Sequence, residues 1–269
     1  MKESRAENLL QRLMRLARLP WYGTTAVVAL GLLLFFILAA YLDGDFSELS
    51  AWGFWRGYLD SPVLVIYILV VYPFMWRLWQ RAVRAFPLLM PDDSISKPTG
   101  AEFPLPNRRR EWLALAIGAA FVILLSQPWS WEFSSSELWL PLYEIVTFAL
   151  LFGLLAWVVY VGLSQTRYIA SLSRQELKLD IFEPGALAPV AHWSLSTSLA
   201  FIGGISLSLV FQTRETLLMW QGITIYAVLL AATVLLFFMS LWSTHQAMAR
   251  AKRRELEMAQ KHLARLTAS

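Results

Sequence analysis

Residues 22–42 read YGTTAVVALGLLLFFILAAYL, with no charged side chain anywhere in the run. A helix needs about 20 mostly apolar residues to cross the hydrocarbon of a bilayer. This stretch is long enough, and it decides the fold class: an all-α, polytopic membrane helical bundle. Five further runs bounded by charge or proline repeat the pattern. They are Pro62–Trp76 (reaching Trp79 if Arg77 snorkels to the surface), Trp112–Pro128, Leu138–Leu163, Trp193–Phe211 and Gly222–Trp242. Six transmembrane helices are therefore expected within residues 22–243. A basic amphipathic segment, 1–21, precedes them, and a helical tail, 244–269, follows.

Composition agrees. Of 269 residues, 57% are apolar and only 16% charged, and mean hydropathy is +0.51. Soluble domains carry about 25% charged residues, and disordered chains carry little apolar weight, so both classes are excluded. The 13 Trp, 9 Tyr and 16 Phe suit a chain with lipid–water boundaries, where amphipathic rings collect. The absence of cysteine excludes disulfides, thiolate metal sites and cysteine catalysis.

Charge placement gives an independent test of the threading. Cytosolic loops hold an excess of Lys and Arg. With six spans and both termini cytosolic, only Arg56 and Arg214 of the 23 basic residues fall on the outer side. An odd number of spans would put several clusters on the wrong face. The cell membrane is the expected location. The basic residues flank spans in four clusters instead of forming one stripe, so anionic headgroups explain them and nucleic acid does not. Arg12 and Arg15 on the leading segment, and Arg108, Arg109 and Arg110 before the third span, are the candidate lipid or partner surface. The first span lacks a small-x-small cleavage site near Ala39-Ala40-Tyr41-Leu42, which favours a retained helix over a signal peptide.

Outside the spans, residues 5–19 can form a surface helix with Leu9, Leu13 and Leu16 on one face. The loop 80–111 holds Pro87, Pro91, Pro98, Pro104 and Pro106, which argues against one continuous helix. In the loop 164–192, Leu177, Leu179 and Ile181 alternate with Lys178 and Asp180, a strand-like period ending in the turn Glu183-Pro184-Gly185. The tail contains no Pro or Gly. Leu256, Ala259, Leu263 and Leu266 follow heptad spacing there, a candidate for self-association through a short coiled coil.

Few residues inside the spans can carry chemistry. Glu144 is the only ionisable side chain well inside a run, roughly 9 Å deep at 1.5 Å per residue, and intramembrane carboxylates are functional suspects. If its helix starts at Pro141, Glu144 falls in the first turn and serves the positive helix end. Otherwise it is a candidate for ion or proton handling. On the fifth span Ser196, Ala200, Gly204 and Ser208 recur every four residues, with Ser194, Ser198 and Ser206 beside them. Small residues at that spacing let helices approach closely, and hydroxyls can also line a wet pathway. His192 and His245 sit at the cytosolic ends of spans five and six. They could hold a metal or haem between them, although no cofactor is expected, because two histidines without further ligand spacing signal little. Pro73 is expected to kink the second span. No phosphate-binding loop, dinucleotide fingerprint, nucleophile elbow or potassium-filter motif is present.

Three functions follow. One is a homo-oligomeric channel or pore-like conduit with the fifth span near its pathway. A second is a non-conducting sensor, receptor or scaffold that signals through the cytosolic helix, alone or with a cytosolic protein partner. The third is a membrane enzyme or haem protein using the histidines or the outward carboxylates Asp43, Asp45, Glu48 and Asp60.

Overall fold

The structure, a computed structural model, describes residues 18–85, 107–127, 138–172, 188–220 and 222–235, together with Leu10, Arg12, Phe238 and Gln260. Regular structure among these residues is helical throughout, with no strand. The elements in chain order are α1 (Trp21–Asp43), a 3-10 segment (Asp45–Ser50), α2 (Trp52–Ala85), α3 (Arg108–Ser126), α4 (Trp139–Leu172), α5 (Ala188–Phe211) and the short α6 (Arg214–Leu218). A further apolar helix, α7, occupies Gly222–Leu235. Four of these helices, α1, α2, α4 and α5, are long and apolar enough to cross a membrane.

Each boundary has a local cause. Pro20 supplies extended backbone ahead of α1, and Gly44, at φ 87°, closes it in the left-handed conformation that glycine adopts freely. Asn107 caps α3 by accepting a hydrogen bond from the Arg109 amide at 3.1 Å. Pro62 and Pro73 both lie inside α2, which continues as one helix through each. The sequence predicts a run starting at Pro62. The helix instead begins ten residues earlier at Trp52, so Arg56 and Asp60 belong to it and not to a loop.

Two compact units separate by contact, one drawing on Met1–Phe74, Leu105–Gly162 and Ala200–Ala232, the other on Met75–Pro104, Leu163–Leu199 and Thr233–Ser269. In the first, Leu32, Val65, Leu69, Tyr72, Leu151, Leu154, Trp157 and Val161 form one core cluster, which Leu10 joins. Tyr72 and Trp157 meet there at 4.7 Å between ring centroids. A second cluster gathers around Phe36, fully buried among Phe54, Trp55, Tyr58 and Tyr143. Aromatic pairs of this kind contribute about 0.5–1.5 kcal/mol each beyond the area they cover. In the second unit, Trp79, Ala82 and Val83 pack with Ile169, Leu172, Val190 and Trp193. Arg77, Arg81 and Arg84 take the opposite, exposed face of α2.

The exposed faces are as apolar as the buried ones. On α1, Val27, Leu30, Leu34, Leu38 and Tyr41 share one exposed stripe; on α5, Leu195, Leu199, Ile202 and Leu209 do the same. On α3, Leu113, Ile117, Phe121 and Leu124 form a third. Monomers surrounded by water seldom present contiguous apolar surface on this scale. Hydrocarbon solvates such stripes without cost, and the length of the helices fits its thickness.

Packing between α3 and α4 depends on Gly118. A Cβ built there would collide with the Phe152 carbonyl oxygen and the Ala156 methyl. Facing it, a Cβ on Gly153 would come within 3.1 Å of the Leu115 carbonyl oxygen. The two backbones are therefore in direct contact, as small residues permit in membranes. Gly118→Leu is expected to destabilise the protein by about 1–3 kcal/mol, read as a lowered thermal midpoint of the detergent-solubilised chain. Gly31→Ala, where a Cβ meets nothing within 4 Å, should leave the midpoint at or above that of wild type.

Candidate functional site

The richest polar arrangement lies where α2, the end of α5 and α7 converge. Arg56 reaches from α2 to the C-terminus of α5. Its Nε donates to the Phe211 carbonyl at 3.1 Å and its Nη2 to the Gln212 carbonyl at 2.9 Å. The last carbonyls of a helix lack internal partners and carry its negative dipole end, so a guanidinium there is doubly favourable. One turn along α2, the Asp60 carboxylate is buried, with 9% of its surface exposed. Its Oδ2 accepts from the Gln212 amide nitrogen at 2.7 Å, while Oδ1 is enclosed without a hydrogen-bond partner. One turn before Gln212, the Ser208 and Tyr226 hydroxyls share a hydrogen bond of 2.7 Å.

A second polar joint fixes the start of α4. The Asp43 carboxylate, at the last position of α1, accepts from three successive amides: Leu138 at 3.2 Å, Trp139 at 3.0 Å and Leu140 at 2.7 Å. It thus fills the capping role for a helix that begins 96 residues later in the chain. The sequence leads to the expectation that Glu144 serves this helix end, from a start at Pro141. Because α4 starts at Trp139, its first turn contains no acidic residue, and the charge comes from another helix. Glu144 is half-buried one turn further in. Its main-chain carbonyl and that of Tyr143 both accept from the Thr147 hydroxyl.

The small-residue face of α5 is occupied by α2. The Tyr67 hydroxyl donates to the Ala200 carbonyl at 2.7 Å. A Cβ on Gly203 would lie 2.6 Å from that hydroxyl, and one on Gly204 would lie 3.3 Å from the ring. Ser194 and Ser198 are buried, and the Ser198 hydroxyl donates to the Ser194 carbonyl at 3.2 Å. Ser196 is half-buried and Ser206 is exposed. Of the four long helices, α5 is the least enclosed by the rest of the protein and α4 the most.

The other candidates are separate from these joints. His192 is exposed on α5, and His245 lies outside the described residues. Arg108, Arg109 and Arg110 are exposed in the first turn of α3, and Glu111 beside them is fully buried. Arg12 is half-buried, whereas Arg15, the alternating stretch Leu177–Ile181 and the tail positions Leu256, Ala259, Leu263 and Leu266 fall outside the described residues. Among the described residues no group of three or more His, Asp or Glu side chains could hold a metal ion.

Sequence reasoning did not single out Tyr67 or Gln212, and it treated Asp60 only as an outward loop carboxylate. Tyr67 carried a usable signal. A hydroxyl in the middle of a span, away from the interfacial belts, must find a partner within the protein.

No known protein family, curated protein or solved structure matches the chain.

Asp43→Ala removes the acceptor for three amides and should cost about 1–2 kcal/mol, lowering the thermal midpoint in detergent. Asp43→Asn keeps an acceptor and should lose less. Glu144→Ala should lie close to wild type, because Glu144 does not serve the helix end.

Proposed function

We propose that the chain is a multi-pass protein of the cell membrane with six crossings and both termini in the cytosol, and that it self-associates as a non-conducting sensor or scaffold. Four crossings correspond to α1, α2, α4 and α5. The fifth is α3, whose apolar part follows Arg108–Arg110. The sixth is α7, whose apolar sequence continues to Trp242. This count leaves the basic clusters on one side, where anionic headgroups hold them.

The observation that carries the non-conducting reading is the contact of Tyr67 with Ala200, Gly203 and Gly204. A pathway wall needs small or hydroxyl-bearing residues open to water. Here the small residues of α5 accommodate a ring. The hydroxyls of Thr197, Ser198 and Ser208 bond to Trp193, Ser194 and Tyr226 within the chain. The remaining face of α5 is apolar and suits lipid or a second copy. Signals received in the membrane would leave through the tail 244–269, whose heptad-spaced Leu256, Ala259, Leu263 and Leu266 support assembly. Membrane lipids, further copies of the chain and a cytosolic protein are the partners in this reading. The role is carried by the helices, with no cofactor.

A conduit between copies is the second reading, favoured by one observation: Ser206 places a hydroxyl on the exposed face of α5.

Two measurements separate them. Proteoliposomes of the purified chain should leak sodium and potassium no faster than protein-free vesicles. A flux that falls in Ser206→Leu would overturn the scaffold reading and establish the conduit. Native mass spectrometry should show an oligomer in mild detergent that becomes smaller in Leu256→Asp combined with Leu263→Asp. An unchanged mass would remove the tail from assembly.

A further inference from the structure

We propose that Asp60, with the hydroxyls of Ser208 and Tyr226 and the side chain of Gln212, forms a binding site for an alkali-metal cation at the outer end of α5. The inference is independent of whether the protein conducts or signals, because it concerns what neutralises one buried carboxylate.

Three observations lead to it. First, Asp60 is a carboxylate in an apolar protein with only one of its oxygens satisfied. Oδ2 accepts from Gln212, and Oδ1 is enclosed without a partner. Buried carboxylate oxygens are costly to leave in this state. Second, the cation nearest in sequence is already committed. Arg56 lies one helical turn from Asp60, yet its Nε and Nη2 both serve the α5 terminus, through Phe211 and Gln212. Among the described residues, no basic side chain pairs with Asp60. Third, neutral oxygens stand alongside. Ser208 lies in the last turn of α5 and Gln212 directly follows the helix end at Phe211. The first is bonded to Tyr226 and the second to Asp60, so the Ser208–Tyr226 pair lies about one helical turn from the carboxylate's partner.

The chemistry selects the class of ligand. Carboxylate and hydroxyl oxygens are hard donors, suited to alkali and alkaline-earth ions and not to soft transition metals. A shared Ser208–Tyr226 hydrogen bond consumes one proton and one lone pair, leaving further lone pairs on both oxygens for a cation. A single carboxylate balances a single positive charge. Calcium usually takes six to eight oxygens, more than these side chains supply, which leaves the alkali-metal ions. Broken or terminating helices near intramembrane carboxylates are a recurrent setting for sodium sites, because the helix C-terminus is electronegative. Arg56 takes the terminal carbonyls here, so binding depends on the side-chain oxygens of Asp60, Ser208 and Tyr226.

The test is the thermal midpoint of the full chain in detergent, titrated with sodium, potassium, calcium or choline chloride at constant ionic strength. Wild type should rise saturably with sodium or potassium and stay flat with choline. Asp60→Asn should lose that rise and already be more stable than wild type in choline, since the buried charge is gone. Tyr226→Phe retains the carboxylate and loses one ligand, so its half-saturating cation concentration should increase about 2- to 10-fold. An equal rise with choline in wild type overturns the proposal, and so does a rise with calcium alone. Retention of the sodium response in Asp60→Asn does the same. If Asp60→Asn does not fold, an unmoved half-saturation in Tyr226→Phe overturns it. A midpoint that follows pH but no cation would identify a proton as the occupant and likewise end the proposal.

Discussion

Hydrocarbon offers no hydrogen bonds, and that constraint accounts for the main interhelical polar contacts among the described residues. A helix satisfies its own interior amides and carbonyls, but its ends and its polar side chains must find protein partners. Asp43 takes three amides at the start of α4. Arg56 takes two carbonyls at the end of α5. Tyr67 finds the Ala200 carbonyl, and Thr147 turns back on its own helix. In each case a polar group that water would otherwise serve is tied to backbone, often backbone distant in sequence. The same bonds that satisfy these groups also hold α1 to α4 and α2 to α5.

The apolar contacts supply shape more than drive. Lipid tails solvate Leu and Phe about as well as a neighbouring helix does, so close packing needs small residues and good fit. Gly118 against Phe152 and Ala156 lets α3 and α4 touch backbone to backbone. Gly203 and Gly204 leave room for the Tyr67 ring on α5. Around Phe36, four aromatic rings at 5.1–5.7 Å fill the space that small residues do not. On α5 the groove at Ala200, Gly203 and Gly204 is filled by Tyr67 from α2.

Much of this was legible in the sequence because membrane helices announce themselves by length and apolarity. The bounds of α1 differ by one residue at each end from the uncharged run, since charge and proline mark a lipid boundary directly. The start of α2 was not legible. Arg56 and Asp60 read as loop residues because hydropathy averages over neighbours and cannot see that both side chains bond to the distant chain at Phe211 and Gln212. The cap of α4 was not legible either: a start at Pro141 would have put Glu144 in the first turn, but the helix starts at Trp139, and its cap, Asp43, lies far away in the chain with no local pattern to link them. Glu111, fully buried, was hidden by the adjoining Arg108, Arg109 and Arg110, which made the whole stretch look solvated. The small-residue stripe on α5 was visible, but its occupant was not, because spacing reveals a groove without naming the side chain that fills it.

The central claim is that hydrocarbon surrounds these helices and that they thread it an even number of times. The natural chain has no cysteine, so single introduced thiols report without background. Ser4→Cys, Ser47→Cys and Ser269→Cys, each probed in intact cells with a membrane-impermeant maleimide, test it most directly. Labelling at position 47 alone, with positions 4 and 269 reacting only after the membrane is opened, is the predicted result. Labelling at just one of the two terminal positions in intact cells would contradict it.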